Sequence, residues 1–91
     1  MADVIVTVKI MPESPEVDLS KIQEQATKMI SDFGGEVGKA EEQPIAFGLK
    51  ALIIMFVMNE SIGSTDRLEE NIATIKGVNS VEVPDVRRAV G

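Results

Sequence analysis

Ninety-one residues with 15 acidic and 9 basic side chains, net charge −6, have the length of one domain and an acidic surface. There is no histidine and no cysteine, which removes disulfides, the common zinc, copper and iron–sulfur sites, histidine acid–base chemistry and cysteine nucleophiles. An acidic surface repels phosphate backbones, and three phenylalanines with no tryptophan or tyrosine leave little for base stacking, so nucleic acid is not an expected partner.

Asp3 breaks the start and no apolar run follows a basic segment, so no signal peptide is expected. The first periodic stretch is VIVTVKI at 4–10. Val4, Val6, Val8 and Ile10 alternate with Ile5, Thr7 and Lys9, which predicts a strand with one apolar and one mixed face. Pro12 and Pro15 are expected to end it. A helix follows, capped by Asp18 or Ser20, and Ser20 with Gln23 has capping-box spacing. Leu19, Ile22, Ala26, Met29, Ile30 and Phe33 form its apolar stripe. Gly34-Gly35 suits a left-handed C-terminal cap.

EVGKAEEQ at 36–43 is polar with weak alternation and reads as an edge strand, where charges discourage foreign pairing. Pro44 marks its end or a bend. The run at 49–58 is almost wholly apolar, with Lys50 the only charge. It is far short of the ~20 residues that cross a bilayer, so no membrane partner is expected and the cytoplasm is the default location. Its β-branched and aromatic middle, bounded by Gly48 and Asn59, predicts a strand buried on both faces at the centre of a sheet. After a loop at 60–65, Thr65 or Asp66 caps a second helix with Leu68, Ile72 and Ile75 inside, and Gly77 ends it. The last strand is read at 78–83, and the residues from Pro84 as a short tail carrying Arg87-Arg88.

The order β-α-β-β-α-β predicts an α+β, ferredoxin-like domain over residues 1–91. In it a four-stranded antiparallel sheet carries two helices on one face. The first and third strands, the most apolar, belong at the centre. The other face is left open, and its apolar side chains call for cover by a partner chain, a second copy or a folded-over tail.

Most chemistry-bearing groups have plain structural roles. Glu41-Glu42 and Glu69-Glu70 read as solvated neighbours rather than a hydrolytic pair. Glu36, Glu41 and Glu42 lack calcium-loop spacing, so no metal is assigned. Gly34-Gly35 closes a helix instead of opening one, unlike a phosphate loop. Met11, Met29, Met55 and Met58 suit core filling. Two features stand out. Phe47-Gly48 puts a large apolar side chain next to a flexible backbone, either as a lid on the sheet edge or as a contact. Arg87-Arg88 is a cationic knob on an acidic chain, either a donor to carboxylate or phosphate, or a solvated terminus or half of an internal ion pair.

PIAFGLKALIIMFVMNE, from Pro44 to Glu60, resembles the segment of the translation elongation factor 1-beta family in which a proline and short spacer precede Phe-Gly-Ile-Lys-Lys-Leu and a hydrophobic strand. VNSVEVPDVRRAVG, from Val78, resembles that family's ending, and the length is similar to its archaeal form. The resemblance covers essentially the whole chain. It implies a guanine nucleotide exchange factor for elongation factor 1-alpha, the GTPase that delivers aminoacyl-tRNA, with no cofactor and no covalent chemistry. In eukaryotic relatives the Phe-Gly phenylalanine contacts the GTPase, which implies Phe47 with Gly48. A lysine beside their C-terminus reaches toward the GTPase Mg²⁺ site. Alignment on Val78-Asn79-Ser80 puts Arg88 there, with Arg87 next to it. Arginine in place of lysine, Pro84 and a tail running to Gly91 are departures from the pattern.

Two other readings stay open on the residues. One is a regulatory domain that dimerises through its sheet and binds a small molecule such as an amino acid. The other is an RNA-binding sheet, which needs aromatics on the central strands.

Overall fold

The apolar run becomes the middle of the sheet. The computed structural model describes residues 2–89. Strand β1 spans Asp3–Pro12, helix α1 Leu19–Phe33, β2 Glu36–Pro44, β3 Lys50–Asn59, helix α2 Asp66–Ala73 and β4 Val78–Arg88. The strands lie in the order β2-β3-β1-β4, and every neighbouring pair is antiparallel. The two most apolar strands are therefore central, as expected.

Alternation decides the faces. Val6, Val8 and Ile10 of β1 and Leu52, Ile54, Phe56 and Met58 of β3 are buried in one cluster with Leu19, Ile22, Ala26 and Ile30 of α1 and Leu68 and Ile72 of α2. Met29 and Phe33 pack at its margin, completing the predicted stripe. The opposite face carries Ile5, Thr7, Lys9, Ile53, Met55 and Val57, all half-buried within the single chain. Met55 therefore belongs to the open face, whereas Met58 is core.

The caps are partly those expected. Asp18 caps α1, its Oδ1 accepting from the Ser20 backbone N–H at 3.0 Å. Ser20 is already helical, so its capping box does not form. Gly34, at φ 108°, closes the helix in the left-handed conformation. At α2 the hydroxyl of Thr65 makes no cap bond. It donates instead to Glu69 Oε2 at 2.9 Å, and Ser64 Oγ accepts from the Asp66 N–H. The helix ends at Ala73, before Gly77, which turns the chain into β4 at φ 97°.

One proline acts as the sequence suggests and one does not. Pro12 is the last residue of β1, paired with Val78 beyond a register shift, so the strand ends within the expected stretch. Pro84 does not end the last strand. β4 runs on to Arg88, and its register slips between the Thr7–Asp85 and Lys9–Glu82 pairs, leaving Val83 and Pro84 in the irregularity. An edge strand has no second neighbour to receive an N–H, so a proline at a bulge there costs little. The supposed tail is a strand.

Candidate functional site

The structure places the two singled-out features at opposite ends of the sheet. Phe47 lies in the connection between β2 and β3. Pro44 pairs with Lys50 there instead of bending the chain away. The Ile45 N–H then donates to the Leu49 carbonyl, and the Leu49 N–H to the Ala46 carbonyl, both at 2.9 Å. The second bond closes a four-residue turn with Phe47 and Gly48 at its centre. Their φ angles are 54° and 79°, and positive φ at both central residues is the type I′ pattern of tight hairpins. Gly48 adopts it freely. Phe47 does not: a side chain in the left-handed region costs ~1–2 kcal/mol.

Phe47 is also 97% exposed, so it is not a lid on the core. Ile45 beside it is exposed as well. The hairpin tip thus presents an apolar knob on a tightly bonded turn. It stands over the β1–α1 connection, where a Cβ on Gly48 would come within 3.8 Å of Pro15.

The arginines lie at the far end, in the last two positions of β4. Arg88 pairs with Val4 and Arg87 with Ile5, and Val4 and Ile5 pair in turn with Met58 and Val57 of β3. Residues facing each other across a ladder share a side. Arg87 therefore emerges on the open face and Arg88 on the helix side. Both have acidic partners. Arg87 Nε lies 2.8 Å from Asp85 Oδ2, two residues away on the same face. Arg88 grips Glu60 through Nε and Nη2, with hydrogen bonds of 2.9 to 3.3 Å.

Glu60 begins a short 3₁₀ turn, Glu60–Ile62, that leads from β3 toward α2. A cleft of about 290 Å³ beside it is lined by Val4, Met58, Gly63, Ser64, Thr65 and Val86. Val86 is exposed at its rim. Neither Glu60 nor Val86 carries a local signal in the sequence. They join the arginines only because β1 pairs with the C-terminal ends of both β3 and β4, a register hidden once the last strand is stopped at Pro84.

The remaining candidates resolve simply. Glu41 lies 3.6 Å from Lys39 and Glu42 3.9 Å from Lys50, all four side chains solvated. The three phenylalanines are Phe33 at the core margin, Phe56 inside the core and Phe47 at the hairpin tip. None lies on the open sheet face, where the RNA-binding reading needs them. No helix among the described residues is long and apolar enough to cross a membrane.

The family model of the EF-1 guanine nucleotide exchange domain matches residues 5–89. The chain belongs to this family. Elongation factor 1-beta of Methanothermobacter thermautotrophicus is 47% identical over 97% of this chain and 98% of its own length. The Sulfurisphaera tokodaii and Methanosarcina barkeri proteins of that name are 45% and 43% identical, each over 97% of this chain and at least 97% of theirs. Guanine nucleotide exchange in translation elongation is accordingly the role of this EF-1-type domain, and the small-molecule regulatory reading is not favoured. The fold is shared more widely. The ACT domain of GTP pyrophosphokinase from Chlorobium tepidum superposes with a TM-score of 0.60 at 20% identity, covering 89% of this chain and 97% of that one. The C-terminal domain of MgtC from Mycobacterium tuberculosis superposes at 0.61 with 16% identity, over 98% of this chain and 88% of that one. At these identities the likeness is of fold alone.

Proposed function

We propose that this EF-1 exchange domain, acting as one unit over residues 1–91, binds elongation factor 1-alpha in the cytoplasm and releases its GDP. The contacts are Phe47 with Gly48 at one end and Arg88, flanked by Arg87, at the other. The observation that carries this reading of the site is Phe47. Nothing in the fold is gained from an aromatic ring held 97% exposed on a left-handed turn residue. A cost of that kind at a surface loop points to a partner that takes the ring.

The chemistry needs no bond made or broken. A GTPase holds GDP through its phosphate loop, a lysine and Mg²⁺. A guanidinium brought against the metal site competes with Mg²⁺ for its negative ligands. Exchange factor and nucleotide then weaken each other's binding, and linkage makes the effect reciprocal. Arginine delivers its charge as a planar fork, suited to a carboxylate ligand, where the family's lysine delivers a point charge.

The test is the release rate of labelled GDP from elongation factor 1-alpha with catalytic amounts of this protein. A many-fold acceleration is expected, and an unchanged rate ends the proposal.

A further inference from the structure

The contact that the proposed function does not use is the one between Arg88 and Glu60. We infer that Glu60 is a positioning residue for Arg88, and this rests on the reading of Arg88 as the group that acts on the GTPase. A long side chain on a surface strand normally samples many rotamers, and fixing it costs ~1.5–2 kcal/mol of rotamer freedom. The protein spends part of that cost before any partner arrives.

Both backbones are anchored. The Ala89 N–H donates to the Asp3 carbonyl at 2.8 Å, which carries the β1–β4 ladder past Arg88. The Glu60 N–H donates to the Ala2 carbonyl at 3.1 Å, and the Glu60 carbonyl accepts from the Gly63 N–H at 3.2 Å. Asn59 Oδ1 accepts from the Ser61 N–H at 2.8 Å and holds the start of the same turn. The carboxylate is thus presented from a backbone tied on both sides.

The pairing also has a direction. All three hydrogen bonds come from the Nε and Nη2 edge of the guanidinium. Nη1, with its two N–H donors, takes no part in them, so one edge is held and another is left to meet a carboxylate on the partner. The Arg88 side chain stays 70% exposed and that of Glu60 41%, so the group is oriented without being hidden. Glu60 offsets part of the charge at the tip, but the guanidinium stays solvated and the carboxylate sets which way it points. An exposed pair of this kind is weak, which limits the effect to a few-fold.

The experiment follows GDP release from elongation factor 1-alpha at increasing concentrations of the exchange factor. Glu60→Gln keeps the size of the side chain and removes its charge. It is expected to lower the maximal release rate about two- to fivefold and to change the half-saturating concentration less than twofold. In an Arg88→Ala background the same substitution should change neither. A Glu60→Gln protein as fast as the wild type or faster overturns the inference, since Glu60 would then be idle or a restraint. An effect that persists without Arg88 overturns it too. If the wild-type protein itself leaves GDP release unchanged, the exchange reading fails and the positioning role falls with it. The pairing has its own readout in the free protein. The Arg88 Nε–H order parameter should fall on Glu60→Gln, and an unchanged value overturns the pairing whatever the exchange assay gives.

Discussion

A phenylalanine at φ 54° makes stability and the proposed binding role pull in opposite directions at one residue. Asparagine tolerates the left-handed region far better than phenylalanine. Phe47→Asn should therefore stabilise the fold by ~1 kcal/mol, raising Tm by ~4–8 °C for a domain of this size, while weakening the complex with the GTPase by tenfold or more. Thermal unfolding and a binding titration on the same preparation check both halves. A variant neither more stable nor weaker in binding would show that the turn is unstrained and the ring idle. Arg88 divides the work differently. Arg88→Ala should slow GDP release more than it weakens binding, because a group acting at a metal site contributes mainly once the complex has formed. Arg88→Lys should recover part of the rate, since it restores the charge without the fork. Equal loss of binding and rate in Arg88→Ala, with no recovery in the lysine variant, would assign Arg88 to affinity alone.

At the scale of elements, the legible parts are those whose signal is local. The alternation in 4–10 and the unbroken run at 49–58 name the central strands because burial on one or two faces writes itself into consecutive residues. The stripe from Leu19 to Phe33 names α1 for the same reason. What is not legible depends on pairing across the chain. Pro84 is a stop signal in sequence and harmless on a bulged edge strand. The Arg88–Glu60 contact joins residues 28 apart, and no periodicity records it. Phe47 and Arg88 stand out in the sequence, but their places at opposite ends follow only from register. Capping shows the same divide. The sequence offers Asp18 and Thr65 on similar terms, whereas the structure gives a side-chain cap bond to Asp18 alone. Asp18→Ala should cost ~0.5–2 kcal/mol, and Thr65→Ala clearly less, with GDP exchange by Asp18→Ala unchanged at temperatures where it remains folded. Chemical denaturation of the two variants decides it, and equal losses would contradict the assigned cap.

The whole molecule is elongated, 42 Å along its longest axis, and the two proposed contacts use that length. Lys50, beside the hairpin tip, and Met58, level with Arg88 through Val4, are eight strand positions apart, or ~27 Å at ~3.4 Å per residue. The core between them, packed from Val6 to Met58 with the helices against it, makes the sheet a stiff spacer rather than a hinge. A partner that engages both ends must offer an apolar pocket and an anionic site at this separation. Groups so far apart with no shared contacts act independently, so their free energies should add to within ~0.3–0.5 kcal/mol. The Phe47→Ala and Arg88→Ala proteins and the double variant, each titrated for binding and for maximal GDP release, form the cycle that measures this. Additive losses are the signature of two separate footholds on one rigid bar. A double variant no worse than Phe47→Ala would mean that once the hairpin tip lets go, Arg88 no longer reaches its target, and the tip alone would then set the docked pose.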